Sequence, residues 1–269
     1  MRRLVLSFLV AWGGAWGGAC GGGSSAPDLP SPEDRQEPTL PREDASDGAR
    51  DAAPSPRDAG TDAQPGPVAS WARYTIAPGA HGALLMTSGA GDPMSGFASG
   101  VSGRDYDLAF DSSAIYTITK LVEPNDQLDW NKLPGLSDCG TIDLAADGAM
   151  FGWRWRLDTT PNVLEITAYA NDAGKHTTPT APMVTLDAAD LASVTPLRYR
   201  LWMDGSLYRF AIAGVIRGRT IDAAVTLGRR CGSTAPSSLP VQWAAGFYFG
   251  GTSTAPTTIT SRIFERPSL

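Results

Sequence analysis

Hydrophobic and polar positions alternate along Phe151-Gly152-Trp153-Arg154-Trp155-Arg156-Leu157. An extended strand here puts Phe151, Trp153, Trp155 and Leu157 on one face and Gly152, Arg154 and Arg156 on the other. The same two-residue period returns in short runs from Trp71 onward, broken by Gly, Pro, Asn and Asp. It predicts strands over 72–77, 82–87, 104–111, 114–120, 141–145, 149–158, 163–171, 183–186, 197–203, 206–213, 220–226, 241–250 and 256–265. No stretch carries the 3.6-residue period of a useful amphipathic helix, and only 125–133 has room for a helical turn or two. So many short strands argue for an all-β fold, an antiparallel β-sandwich or jelly roll.

Three hairpins specify register. Asp204-Gly205 is a favoured two-residue turn, and it sets Leu201 opposite Tyr208, Tyr199 opposite Phe210 and Leu197 opposite Ile212. Asp147-Gly148 sets Leu144 opposite Phe151 and Ile142 opposite Trp153. A four-residue loop at 159–162 sets Leu157 opposite Leu164, Trp155 opposite Ile166 and Trp153 opposite Ala168. Both hairpins that share the 149–158 strand bury the same face of it, so the strand is expected to be interior. On its other face Arg156 falls opposite Glu165, Arg154 opposite Thr167 and Gly152 opposite Tyr169, while the 204–205 turn sets Arg200 opposite Arg209.

The first quarter of the chain is different. Met1-Arg2-Arg3 is a basic n-region, and the apolar run from Leu4 to Trp16 is shorter than the roughly 20 residues that span a bilayer as a helix. That is the pattern of an export signal, residues 1–19. Residues 26–68 are rich in Pro, Asp, Ala, Arg, Gly and Ser, and they offer almost nothing apolar to offset their ordering entropy. Residues 20–68 are therefore expected to be a disordered linker, and 69–269 a β-sandwich domain. The formal charge of -6 lies in the linker, where ten acids face four arginines; residues 69–269 carry 18 acids against 16 bases, near neutrality. Such a balance gives no electrostatic footprint for nucleic acid.

Gly17-Gly18-Ala19-Cys20 resembles a bacterial lipobox, with Gly17 where the usual leucine stands. The resemblance implies cleavage before Cys20, lipidation of that cysteine, and an anchor on the membrane. Gly21 is not the aspartate associated with inner-membrane retention, so an outer-membrane lipoprotein is expected. Of the other two cysteines, Cys139 and Cys231 fall inside the folded part of an exported chain and are expected to pair. Two buried free thiols are the alternative.

Several segments together resemble a family of secreted and lipid-anchored bacterial domains without an assigned activity. They are Phe110 to Thr117, Asn131 to Cys139, Phe151 to Arg156, Leu164 to Tyr169, and Gly246 to Gly251 followed by Ala255 to Thr260. The resemblance implies a concanavalin A-like jelly roll, the architecture of lectins, glucanases and polysaccharide lyases, and brings no catalytic residue with it.

Catalytic patterns mostly fail. Glu123, Glu165 and Glu265 are the only glutamates of the folded part, and they do not alternate along one strand as a glucanase pair requires. Tyr169, Arg154 and Arg156 share a face, as a lyase would want, but His81 and His176 fall in loops. No nucleophile elbow, phosphate loop, dinucleotide fingerprint or histidine metal pair is present, and no cofactor is called for. Asp126, Asp129 and Asp143 are weak calcium candidates beside the simpler reading of solvated loop carboxylates. Trp130, among polar neighbours, suits either a sugar platform or a plug at a sheet end, and Trp202 is expected to be covered. The leading expectation is a non-enzymatic, lipid-anchored envelope module that binds carbohydrate or another extracellular ligand. Arg154, Arg156, Tyr169, Arg200, Arg209 and Trp130 are its candidate contacts, and three arginine-bearing strands favour an anionic glycan. A glycan-cleaving lyase or hydrolase and a purely structural envelope protein are the alternatives.

Overall fold

The computed structural model describes residues 66–87, 96–98, 101–231 and 242–266. The export signal, Cys20, the linker up to residue 65 and residues 232–241 lie outside the described residues. In chain order the strands are β1 (Ala72–Ile76), β2 (Ala83–Thr87), β3 (Gly96–Ala98), β4 (Gly103–Phe110) and β5 (Asn131–Lys132). Then come β6 (Gly135–Ser137), β7 (Gly148–Arg156), β8 (Val163–Asp172), β9 (Lys175–Thr177) and β10 (Val184–Leu186). A short helix, α1 (Ala188–Ala192), precedes β11 (Leu197–Asp204), β12 (Leu207–Ile216), β13 (Arg219–Gly228), β14 (Gln242–Ala245) and β15 (Ile259–Glu265). All pairings are antiparallel. The first sheet runs β13-β12-β11-β4-β15-β1-β2; the second runs β10-β8-β7-β6-β14-β3, with β5 also on β7 and β9 also on β8. The fold is an antiparallel β-sandwich of the jelly-roll class.

The core between the sheets is aromatic. Phe151, Trp153 and Trp155 of β7 point into it, as their alternation requires, while Tyr106, Leu108 and Phe110 of β4 face them from the first sheet. Phe110 meets Trp153 with ring centroids 5.3 Å apart, and Phe151 meets Tyr199 edge-on at 5.2 Å. Two polar ties accompany these rings across the layers: Arg104 donates to the Gly135 carbonyl at 3.1 Å, and the Tyr106 hydroxyl to Pro134 at 3.2 Å.

β7 is interior, as expected, but its second neighbour is not a strand at 141–145. β5 and β6 pair with it instead, Asn131 opposite Trp153 and Leu136 opposite Ala149. Residues 141–145 form turns because the Asp143 carboxylate accepts the Ala145 N–H at 2.9 Å, an alternative to the ladder that aspartate offers its own backbone. Ile142 is left 53% exposed. The predicted strand at 114–120 is likewise absent. Asp111 caps a 3-10 turn over Ser112–Ala114, and the segment beyond it is irregular. The predicted 241–250 strand is regular only over β14, and the 256–265 strand starts at Ile259. β3, β5, β6, β9 and α1 are shorter than a periodic pattern can reveal.

Two registers differ from expectation by two residues. In the β7–β8 pair Trp153 faces Ile166, Trp155 faces Leu164, Arg154 faces Glu165 and Gly152 faces Thr167. The ladder ends at Arg156 opposite Val163, so the loop covers residues 157–162 and Leu157 is 39% exposed rather than in the core. In the β11–β12 pair the turn moves by one residue, to Gly205-Ser206, with Gly205 at φ 57° and Asp204 opposite Leu207. Leu201 then meets Phe210, Tyr199 meets Ile212, and Arg200 meets Ala211 rather than Arg209. The like-charge pair expected there does not form. A shift of two keeps every side chain on its face, so the core assignment is unaffected.

Cys139 and Cys231 form the expected disulfide, with Cα atoms 5.3 Å apart. It joins the segment after β6 in one sheet to the segment after β13 in the other.

Candidate functional site

The arginines expected to share one surface are divided between two. Arg154, Arg156 and Tyr169 lie on the outer face of the second sheet, whereas Arg200 and Arg209 lie on the outer face of the first. A sequence shows which side of its own strand a residue takes, but not which sheet the strand joins. On the first sheet Arg200 lies 3.6 Å from the Asp105 carboxylate and 5.4 Å from the half-buried Trp202 ring. Arg209 pairs with Asp204 at the hairpin end.

On the second sheet the arginines are held by carboxylates. Glu165 sits between them, 2.8 Å from Arg154 and 3.0 Å from Arg156, and Arg156 also takes Asp158 at 2.6 Å. Arg154 further donates to the Leu128 carbonyl at 2.7 Å. Its guanidinium carbon lies 3.9 Å from the Trp130 ring centroid. Trp130 in turn covers the outer surface of β7: a Cβ on Gly152 would approach its ring and the Thr167 methyl, each at 3.3 Å. The side chain missing at Gly152 therefore makes room for Trp130, not for Tyr169, which faces Met150.

Beside this salt-bridged block lies a strip that sequence reasoning did not assemble. Lys132 of β5 places its Nζ 3.9 Å from the Tyr169 ring centroid and donates to the Trp130 carbonyl. Tyr169 stacks on His176 of β9, centroids 5.5 Å apart and planes within 12°. On the other side Lys132 and Tyr248 exchange backbone hydrogen bonds of 2.8 and 3.0 Å, an isolated antiparallel bridge that puts both side chains on one face. Tyr248 is 41% exposed and stacks on His81 at 5.5 Å, and His81 is fixed by a 2.8 Å contact from Nδ1 to the Phe249 carbonyl oxygen. The strip runs His176, Tyr169, Lys132, Tyr248, His81. The signal for it was the pattern Phe247-Tyr248-Phe249, in which flanking phenylalanines go inward and the tyrosine must face out.

Electrostatics distinguish the members. Burial brings the Lys132 amine down to about 7, opposed by the nearby Asp129 carboxylate. Burial pushes the Tyr169 hydroxyl up to about 12, with Asp129 adding to the shift. Asp129 itself is raised, first by burial and then by Asp126. Two of the calcium candidates, Asp126 and Asp143, have hydrogen-bond partners within the protein. Burial works to raise Asp126, but hydrogen bonds from Ser253, the Glu123 N–H and Thr252 outweigh it and hold the carboxyl down to about 2. Asp143 closes the 141–147 turns. Among the described residues the one group of three metal-type ligands within 4.8 Å is Asp138, Cys139 and Cys231, whose sulfurs are joined to each other.

No family model matches the chain, and no curated protein matches it. Solved structures do. An alginate lyase from Klebsiella pneumoniae is 13% identical, with a TM-score of 0.39 over 61% of this chain and 59% of the lyase. The chain thus spans under two thirds of that protein's length. The carbohydrate-binding module CBM66 from Bacillus subtilis is 11% identical, with a TM-score of 0.24 over 72% of this chain and 80% of the module.

Proposed function

We propose that this protein is an envelope module, exported and anchored to the outer membrane through a lipid on Cys20, which binds carbohydrate without cleaving it. The outer face of its second sheet is the binding surface. The resemblance to secreted and lipid-anchored bacterial domains supports the address. One observation carries the site: the exposed Tyr248 ring, stacked on His81, is paired through its backbone with Lys132, so that both side chains stand on one sheet face. An indole or phenol ring held by its neighbours offers a sugar an apolar platform at little entropic cost, with hydrogen-bonding groups at its edge.

Non-catalytic binding accounts for the site better than elimination does. A tyrosine held near 12 accepts a proton poorly at neutral pH, and Arg154 already has Glu165 as its counter-charge.

The test is a glycan array followed by titration of the best ligands. Tyr248→Ala is expected to weaken binding about tenfold. Trp202→Ala, on the opposite sheet, is expected to bind like the parent protein. An array without a single ligand, or a Trp202→Ala variant that loses binding while Tyr248→Ala keeps it, would sink the assignment. Release of unsaturated sugars absorbing in the ultraviolet would replace binding by elimination.

A further inference from the structure

We propose that the sugar this surface takes is carboxylated, its carboxylate received at Lys132 while its ring rests on Tyr248. This rests on the carbohydrate reading above and narrows it to one chemical class.

The charges on the face single out Lys132. Arg154 and Arg156 share Glu165, and Arg156 has Asp158 as well. Lys132 has no carboxylate within the 4.0 Å of an ion pair among the described residues. Among the described residues its one side-chain hydrogen bond goes to the Trp130 carbonyl, and its one ring contact is with Tyr169. An ammonium has three donors, so two remain for a ligand. A bound carboxylate at this point would meet an amine that Asp129 influences but does not pair with directly, whereas the same carboxylate at either arginine would have to displace Glu165.

The geometry places a ring beside that cation. Directly opposed residues in a hydrogen-bonded antiparallel pair carry their Cβ atoms roughly 5 Å apart on one face, so a six-membered sugar on Tyr248 has a ring substituent within reach of Lys132. Across from Tyr248 on its far side is Gly82, where an added Cβ would meet nothing within 4 Å. Tyr248 thus stands between an open position at Gly82 and the Lys132 residue on the same face, with His81 stacked on its ring. The groups around the amine are Asp129 and Tyr169, with His176 stacked on Tyr169, Tyr248 and its stacked His81 across the bridge, and Arg154 over the Trp130 ring. Asp129 is the one acid among them.

Protonation gives the site a signature that a structural lysine would lack. Free Lys132 sits at about 7 because burial disfavours its charge. A carboxylate beside it favours the charged form, so binding takes up a proton when the pH lies above that value. Affinity for an acidic sugar is therefore expected to fall as pH rises from 7 to 9, while affinity for a neutral sugar stays level.

The experiment pairs hexuronate oligosaccharides from several polymers with their carboxyl-reduced neutral counterparts. Binding is measured by calorimetry at pH 8 in buffers of different ionisation enthalpy. The full-length protein is expected to prefer at least one acidic member about tenfold or more over its neutral partner and to take up a proton on binding it. Lys132→Met, which keeps the length of the stem, is expected to lose both the preference and the uptake. Tyr248→Ala is expected to weaken acidic and neutral ligands alike. Binding of neutral glycans with no acidic preference, or a preference that survives Lys132→Met, overturns the proposal and leaves the carbohydrate reading standing. Binding of no glycan overturns both.

Discussion

Trp153→Ala is expected to cost about 3–5 kcal/mol of stability, measured by urea unfolding with the disulfide intact. Trp153 is fully buried and is the ring on which the two sheets meet. It stacks on Phe247 at 5.4 Å with planes within 17°, takes Tyr116 edge-on at 6.0 Å and Phe249 at 6.4 Å, and leans on Phe110 across the core. An alanine would forfeit these contacts and leave a cavity that the surrounding close-packed rings collapse to fill only in part. Domains of this size hold roughly 5–15 kcal/mol in total, so the variant is expected to be marginal or unfolded. Trp153→Phe makes the comparison informative. The indole Nε1 has no hydrogen-bond partner in its buried position, so phenylalanine removes an unsatisfied donor while it opens a smaller hole. Its cost is expected to be less than half that of alanine. Equal losses in the two variants would show that the indole, and not the packed ring, matters there.

The burial of Trp153 was legible in the sequence, and the contrast with the binding surface shows why. A two-residue alternation records which side of a strand is dry, and it survives errors of register so long as they come in twos. That happened at both hairpins: β7–β8 and β11–β12 slid by two residues, and Phe151, Trp155, Tyr199 and Phe210 all stayed in the core. What alternation does not record is which strands become neighbours. β4 lies between β11 and β15, which follow it by scores of residues. Arg200 and Arg209 were therefore expected beside Arg154 and lie instead on the other sheet. Segment 141–145 has the composition of a strand, but the Asp143 side chain captures the backbone N–H that a strand would have used. On the outer face the charges were legible and their partners were not. Glu165 was expected to take Arg156, and it takes Arg154 too. Lys132 and Tyr248 are 116 positions apart and meet through one backbone bridge, a contact that no local pattern signals.

Arg229→Met is expected to cost about 3–5 kcal/mol at neutral pH, because it strands a buried charge. Asp138 follows β6, Arg229 follows β13, and their side chains are 0% and 2% exposed. The guanidinium meets the carboxylate through Nε at 2.5 Å and through Nη2 at 3.1 Å, and it donates also to the Gly205 carbonyl at 2.9 Å. The Tyr208 hydroxyl donates to the same carboxylate at 2.8 Å, and the Cys139–Cys231 disulfide lies against it. This cluster fastens one sheet to the other at the end of the sandwich that holds the 205–206 turn. Burial alone would raise the Asp138 carboxyl, but Arg229, the Cys139 N–H and Tyr208 outweigh it and hold the group below its ordinary value. A carboxyl lowered by folding contributes stability that is present above the unfolded value, about 3.9, and is lost as pH falls through the folded one. The parent protein should therefore lose this contribution only in strong acid. In Arg229→Met the balance reverses, because burial now dominates and the folded carboxyl rises above its unfolded value. The deficit of the variant is then expected to shrink as pH falls from 7 toward 4, where Asp138 enters the core as a neutral acid. Asp138→Leu with Arg229→Met removes both charges, and its loss is expected to be smaller than the sum of the two single losses. Urea titrations of the four proteins at pH 7 and pH 4.5 decide the matter. A deficit that is the same at both pH values, or single losses that simply add, would mean that the pair contributes packing and not a charge held out of water.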